Sequence, residues 1–167
     1  MLRAAGVRVR VDDRPDYRPG FKFNEWELKG VPVRIEIGSR DVAAGAVTVA
    51  RRDSGEKRQI PVAHTADAVG KLLDDAQESL FQSASDELER RTLREPSGYD
   101  EMVEYLRDAA GFVEAPWCGR RECEIRVKDD SSATIRCLPL DEKPTQPGTC
   151  VCCGRAAVAS AVWAQAY

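Results

Sequence analysis

Six cysteines lie in the last third of this 167-residue sequence, at positions 118, 123, 137, 150, 152 and 153. No apolar run approaches the ~20 residues of a membrane-spanning helix, and the N-terminus lacks the hydrophobic core of a signal peptide. The sequence therefore predicts a cytoplasmic chain without a membrane segment, in which thiols stay reduced and a disulfide framework is disfavoured. Cysteines that cluster under these conditions indicate a metal site.

Two cysteine pairs have the spacing of chelating turns: Cys118 with Cys123, and Cys150 with Cys153. Zinc prefers four ligands in a tetrahedron, and a pair on a short loop pre-organises one edge of it. Because every candidate ligand is a thiol and no coordination position is left open, the pattern predicts a structural zinc ion rather than a catalytic one.

Cys137 and Cys152 are surplus to a four-ligand site. Because Cys152 adjoins Cys153, exchange of one ligand for its neighbour stays open from spacing alone. Buried free thiols are the alternative interpretation of the whole set.

Positive charge is concentrated in the first part of the chain. Residues 1–64 hold 13 lysines and arginines against 9 aspartates and glutamates, whereas residues 65–167 hold 12 against 19. A polyanionic partner would therefore bind the front half.

The front half also combines aromatic residues with candidate readers of RNA bases. Single-stranded RNA is bound by stacking on aromatic rings and by hydrogen bonds to base edges, and an arginine fork matches O6 and N7 of guanine. A solvated sheet edge is the alternative interpretation of the same residues. The candidates are Phe23, Trp26, Glu27, Arg34, Arg40, Arg51, Arg52 and Lys57.

Catalytic motifs are missing from the sequence. It has no phosphate-binding glycine loop and no cluster of metal-binding carboxylates, and its single histidine, His64, is interpreted as a helix-entry residue. We therefore expect no catalytic residue in this chain.

Hydrophobic periodicity predicts an α/β fold. Residues 1–6 read as the end of a helix and residues 12–30 as turns. A helical stripe begins at Thr65, and Pro96 ends it. Strands are predicted over 7–11, 31–37, 45–51, 58–62, 112–115, 134–138 and 157–167, and helices over 65–93 and 97–110, with a further charged helix after the first cysteine pair.

The segment PGFKFNEWELKGVPVRIEIGSRD, residues 19–41, closely resembles the anticodon-binding domain of archaeal/eukaryotic-type prolyl-tRNA synthetases. The similarity resumes at residues 115–119, 134–137 and 150–154 and at the C-terminal Ala-Tyr, and it covers essentially the whole chain.

This resemblance implies two domains. Residues 1–93 correspond to a class IIa anticodon-binding domain, a mixed sheet flanked by helices, without its first strand and most of its first helix. Residues 94–167 correspond to a small α+β zinc-binding domain. The class II catalytic core, which binds ATP, has no counterpart here, so we expect a fragment that is inactive alone.

The resemblance also implies roles for individual residues. The zinc ligands correspond to Cys118, Cys123, Cys150 and Cys153, whereas Cys152 is not expected to be one. The C-terminal carboxylate of Tyr167 is expected to reach towards the active site of the full enzyme. The residues expected to read two guanines of the proline anticodon are Glu27, Arg34, Arg40 and Lys57.

The implied function is recognition of tRNA(Pro) within a ligase that attaches proline to it in an ATP-dependent reaction. The implied partners are tRNA(Pro), the catalytic domain of the same enzyme and a second copy in a homodimer. A free-standing RNA-binding module without catalysis is the alternative, and a zinc-stabilised interaction module is a third interpretation.

Overall fold

The computed structural model describes residues 1–108, 111–140 and 148–166. Contacts divide the chain into two compact units, Met1–Ala84 and Ser85–Tyr167. Each unit packs helices against a β-sheet, so the predicted α/β class is confirmed. Within the described residues, no helix combines the length and the apolar character needed to cross a bilayer.

The first unit is built on a three-stranded antiparallel sheet in the order β1-β2-β3. A single 3-10 turn, Val62–His64, leads from the sheet into α3. Its elements are α1 (Pro19–Leu28), β1 (Val33–Glu36), α2 (Ser39–Ala43), β2 (Ala46–Arg51), β3 (Lys57–Pro61) and α3 (Thr65–Arg90), the last of which continues past Ala84.

Strand alternation gives this sheet one apolar face. In the register, Val49 lies opposite Ile35 on one side, and Val47 lies opposite Ile60 on the other. Successive side chains of a strand point to opposite faces, so these four residues share a face. Val47, Val49 and Ile60 form a buried cluster with Leu72 of α3, and the partly buried Ile35 packs against it. The apolar face therefore packs against α3 and leaves the opposite face to polar residues.

The apolar stripe that periodicity predicts along α3 is buried only in the first half of the helix. Val69, Leu72 and Ala76 are buried, whereas Phe81 and Leu88 are more than half exposed. Helical periodicity identifies an apolar stripe, but burial requires a neighbouring element to cover it.

Two predictions for the start of the chain are wrong. Residues 7–11 belong to no strand of either sheet in the described structure, because alternation produces a ladder only where an open strand edge lies alongside. Residues 19–28, predicted as turns, form α1, which Pro19 begins at its first position. None of the residues of α1 is buried, so it lacks the apolar stripe by which a helix is recognised in a sequence.

The second unit contains a mixed four-stranded sheet in the order β4-β5-β7-β6. β4 and β5 are parallel, whereas β7 pairs antiparallel with both β5 and β6. Its elements are β4 (Thr92–Arg94), α4 (Tyr99–Asp108), β5 (Phe112–Trp117), α5 (Arg121–Ser131), β6 (Ala133–Cys137) and β7 (Ala159–Gln165). Sequence periodicity missed β4 because three residues are too few to establish alternation.

The core of the second unit joins both helices to the sheet. Met102 and Leu106 of α4 and Val127 of α5 are buried against Val113 of β5 and Trp163 of β7. These residues are separated widely in sequence, so the unit depends on its tertiary packing rather than on any single segment.

Gly111, which follows α4, has no space for a side chain. A Cβ atom at this position would lie 2.5 Å from the carbonyl oxygen of Arg91 and 2.9 Å from the hydroxyl oxygen of Tyr105. We expect Gly111→Ala to lower the free energy of unfolding by about 1–3 kcal/mol, because overpacking displaces the backbone. Urea denaturation followed by circular dichroism measures this.

Gly70→Ala in α3 is the matched control. Apart from the two adjacent residues and the nearby backbone of α3 itself, no atom of the described residues lies within 4 Å of the position that a Cβ atom would occupy there. Alanine favours a helix over glycine by up to about 1 kcal/mol. Equal effects of the two substitutions would contradict the steric explanation.

Candidate functional site

Four charged side chains and one aromatic ring form a cluster on the polar face of the first sheet. Arg34 donates a hydrogen bond from Nη1 to the carboxylate of Glu27. It donates a second hydrogen bond from Nε to Oε1 of Glu36, at 3.0 Å. Lys57 donates from Nζ to the same oxygen of Glu36 at 2.9 Å. The Cζ atom of Arg34 lies 4.2 Å from the centroid of the Phe23 ring. These five residues are called the charged cluster below.

Local geometry explains why these residues meet. Phe23 and Glu27 are four residues apart on α1 and so share a helix face. Arg34 and Glu36 are two residues apart on β1 and share a sheet face. Lys57 reaches the cluster from β3.

Strand register brings the two cations into line across the sheet. Arg34 of β1 and Lys57 of β3 both lie opposite Ala50 of the central strand β2. Residues in register point to the same face, so the two long side chains flank the small side chain of Ala50, which is buried.

The inner ion pair of the charged cluster is partly buried and the outer groups face water. The side chains of Arg34 and Glu36 are 17% and 21% exposed, whereas those of Glu27 and Lys57 are 44% and 50% exposed. Burial works against the charged form of Arg34, but Glu27 and Glu36 outweigh it and raise the pKa of its guanidinium. Burial likewise opposes ionisation of Glu36, but Lys57 and Arg34 lower the pKa of its carboxyl below the usual value. Both groups are therefore charged at neutral pH.

Arg40 lies outside the charged cluster. It belongs to α2, and in the described parts of the chain its side chain forms no hydrogen bond or ion pair with the four charged residues. Its helix is nevertheless attached to the same sheet, because Asp41 accepts hydrogen bonds from Thr48 of β2 and Gln59 of β3.

A second polar network, which sequence reasoning missed, holds α1 in place. Trp26 donates from its indole nitrogen to Asp12 at 2.8 Å. Arg14 donates to Asp12 at 2.8 Å and to Glu25 at 2.5 Å. The hydrogen bond from Arg14 keeps the pKa of the Asp12 carboxyl well below its usual range. The signal available in the sequence was an Asp-x-Arg pair placed shortly before the helix.

The four predicted thiols of the second unit also come together. The sulfur atoms of Cys118, Cys123, Cys150 and Cys153 all lie within 4.8 Å of one another. The distance from the sulfur of Cys118 is 3.6 Å to that of Cys123 and 3.7 Å to that of Cys153. A disulfide would require about 2.05 Å. A tetrahedron of thiolates around zinc, with metal–sulfur bonds of about 2.3 Å, has edges of about 3.8 Å.

Backbone hydrogen bonds dock the two chelating turns against each other. The amide of Val151 donates to the carbonyl of Pro116 at 3.0 Å, and that of Val158 donates to Trp117 at 2.8 Å. These bonds place the turn of Cys150–Cys153 at the end of β5, beside Cys118. Gly119 and Gly154 have φ of +76° and +71°, left-handed values that favour glycine.

The four thiols differ in how their surroundings shift the pKa. Burial raises the pKa values of Cys123 and Cys150. Burial also opposes ionisation of Cys118, but the backbone of Arg120 and the neighbouring thiols outweigh it and lower its pKa to about 7. Cys123 and Cys150 therefore keep their protons at neutral pH, and all four groups would become thiolates only with a cation to neutralise them. The cluster could hold such a metal ion.

The remaining predicted residues have different outcomes. Cys137 is exposed on β6, and neither it nor Cys152 belongs to the group of four thiols. Cys152 instead accepts a hydrogen bond at its carbonyl from Arg126 of α5, at 3.3 Å. Tyr167 lies outside the described residues.

Two family models match the chain. One, described as "Anticodon binding domain", matches residues 1–72, and the other, described as "Prolyl-tRNA synthetase, C-terminal", matches residues 99–167. Together these matches place the chain in the aminoacyl-tRNA synthetase class. The anticodon-binding match lies in the first part of the chain, and the C-terminal match, which includes the four thiols, lies in the second part.

Individual relatives indicate the amino-acid specificity of the synthetase family that the chain resembles. The chain is 40% identical over 166 residues to a proline–tRNA ligase of Lachnospira eligens and 43% identical over 166 residues to proline–tRNA ligase 2 of Clostridioides difficile. It is 44% identical over 164 residues to a proline–tRNA ligase of Chloroflexus aurantiacus. These alignments cover 99%, 99% and 96% of this chain and 34%, 34% and 33% of the relatives.

The chain belongs to the prolyl-tRNA synthetase family, in which it corresponds to the C-terminal region. It spans about a third of the length of the curated relatives that it matches.

Proposed function

We propose that this chain recognises the anticodon of tRNA(Pro) as the C-terminal portion of a proline–tRNA ligase, which attaches proline to tRNA(Pro) in an ATP-dependent reaction. The observation that carries the proposal is the charged cluster, where a carboxylate, an arginine fork and an aromatic ring meet on one face of the first unit. Similarity to proline–tRNA ligases supports the choice of this reaction and of tRNA as the partner.

Guanine matches the groups that the cluster offers. Its N1–H and N2–H₂ groups would donate to the carboxylate of Glu27, and its O6 and N7 would accept from the fork of Arg34. Lys57, which is half exposed, would bind the second guanine or its phosphate. We assign the same role to Arg40, whose helix adjoins the sheet.

Further assignments rest on the family resemblance. We propose that anticodon recognition belongs to residues 1–93 and metal-dependent folding to residues 94–167. Within the full enzyme, the carboxylate of Tyr167 would approach the active site, and the chain would contact the catalytic domain and form a homodimer in the cytoplasm. The archaeal/eukaryotic subtype is proposed from the segment at residues 19–41 alone, since the three relatives compared above are bacterial.

We also propose that Cys118, Cys123, Cys150 and Cys153 hold a structural zinc ion. The support is the sulfur geometry, whose shortest separations agree with the edges of a zinc tetrathiolate. The ion would join the start of α5 to the turn at 150–153 and stabilise a small hydrophobic core.

We expect chain purified under reducing conditions to carry one zinc ion, measured by inductively coupled plasma mass spectrometry. Cys153→Ser removes an exposed ligand and should release the metal and lower the melting temperature. Cys152→Ser is the matched control at the next position and should retain the metal. Equal loss from both variants, or metal-free wild-type chain, would disprove this ligand set.

The anticodon assignment predicts a loss of discrimination in Arg34→Gln. The unmutated chain should bind an anticodon stem-loop of tRNA(Pro) more tightly than one whose anticodon guanines are replaced by adenines, by about 10- to 100-fold per well-read base. In Arg34→Gln the ratio of the two affinities should fall towards one, because the glutamine amide cannot donate to O6 and N7 of guanine as a two-pronged fork. Fluorescence anisotropy with labelled RNA measures both affinities.

Arg58→Gln is the matched control for charge. Arg58 follows Lys57 on β3, and alternation places it on the opposite face. This variant should weaken binding of both RNAs only slightly and preserve their ratio. If the unmutated chain binds both RNAs equally, the proposed function is wrong.

We expect the 167-residue chain alone to catalyse no proline-dependent exchange between ATP and pyrophosphate, because no residue in it is assigned to ATP or proline. Measurable exchange would contradict the division of roles proposed here. The alternative function is a free-standing RNA-binding module. The genomic sequence upstream of the Met1 codon decides between the two, since only the ligase requires a class II catalytic core in the same reading frame.

A further inference from the structure

Glu36 stands at the centre of the charged cluster, and the proposed function gives it no part. One of its carboxylate oxygens, Oε1, accepts hydrogen bonds from Arg34 at 3.0 Å and from Lys57 at 2.9 Å. Its side chain is 21% exposed, less than half the exposure of Glu27 or Lys57. Glu36 is therefore the inner group that links two cations from different strands.

The hydrogen bond that Arg34 donates to Glu36 restricts the orientation of the Arg34 side chain. It engages the Nε atom, while Glu27 engages Nη1 and the ring of Phe23 lies against the guanidinium. A planar group held at its inner nitrogen and against a ring keeps few free rotamers. Its outer edge thus points in a defined direction before any ligand binds.

Glu36 also restricts Lys57. An ammonium group on a four-carbon chain ordinarily samples many positions and binds any nearby phosphate as a point charge. The bond to Glu36, together with the position of Nζ 5.7 Å from the Phe23 ring centroid, holds this charge over the cluster.

The charges of the cluster balance, which is unexpected for a surface that binds a polyanion. Glu27 and Glu36 neutralise Arg34 and Lys57, so the cluster has no net charge. Contacts with phosphates supply most of the affinity of nucleic-acid binding but carry no sequence information. A carboxylate at this position therefore lowers general attraction to RNA.

We propose that Glu36 is a positioning residue that lowers affinity for RNA in general and raises discrimination between bases. This inference rests on the proposed function. Glu36 acts through Arg34 and Lys57, which it directs towards the base edge and withholds from phosphates.

Glu36→Gln tests the proposal, because it keeps the size of the side chain and removes its charge. The affinity of the 167-residue chain should rise for both the cognate stem-loop and the stem-loop with adenines in place of the anticodon guanines. The rise should be larger for the adenine-containing stem-loop. The ratio of the two affinities should fall about tenfold or more. The dependence of log K on log salt should steepen by about 0.7 for each new phosphate contact.

Two further variants separate charge from geometry. Glu36→Asp keeps the charge but shortens the side chain, so discrimination should fall while the salt dependence stays near that of the wild type. Glu56→Gln removes an exposed carboxylate from the β2–β3 turn of the same hairpin. It should shift both affinities equally and leave their ratio unchanged.

The outcomes distinguish this inference from its alternatives. If Glu36→Gln weakens cognate binding and leaves the salt dependence unchanged, Glu36 contacts a base itself and the proposal is wrong. If the ratio stays constant while the melting temperature falls, its role is structural and the proposal is again wrong. Wild-type chain that does not discriminate between the stem-loops would instead overturn the proposed function, and the inference with it.

Discussion

The two-residue alternation of the three-stranded sheet is the constraint on which the charged cluster depends. One face must be apolar because it packs against α3, and Val47, Val49 and Ile60 occupy it. The same alternation obliges the intervening residues to face the other way, which places Arg34 and Lys57 on either side of Ala50. A slip of one residue in register would move the cations into the core, so the packing of the sheet and the chemistry of its surface are selected together.

Each unit is small and can bury only a limited apolar area, and the two units are stabilised by different additional contacts. The first unit adds polar networks to a modest apolar cluster: Asp12 and Arg14 hold α1, and Asp41 holds α2. The second unit has a larger core around Trp163 and brings four thiols to one end of β5. Where the apolar area is limited, directional contacts determine which arrangement is adopted.

Sequence reasoning succeeded where a pattern has a local cause and failed where the cause is distant. The hairpin of β2 and β3 was predicted because alternation and a Ser-Gly turn lie next to each other. α1 was missed because it is held by Asp12 and Arg14, through hydrogen bonds rather than an apolar stripe. The strand predicted at residues 7–11 failed for the converse reason, since alternation alone does not provide a partner strand.

The sequence by itself determined the α/β class, the spacing of the cysteine pairs and the family resemblance, because each of these depends on residue types at short separations along the chain. Only the tertiary structure decided which charged residues meet. It joined Glu36 to Arg34 and Lys57, left Arg40 apart and excluded Cys137 and Cys152 from the thiol group. Strand register and the docking of turns bring together residues that are distant in the chain, and no local pattern specifies the distances between them.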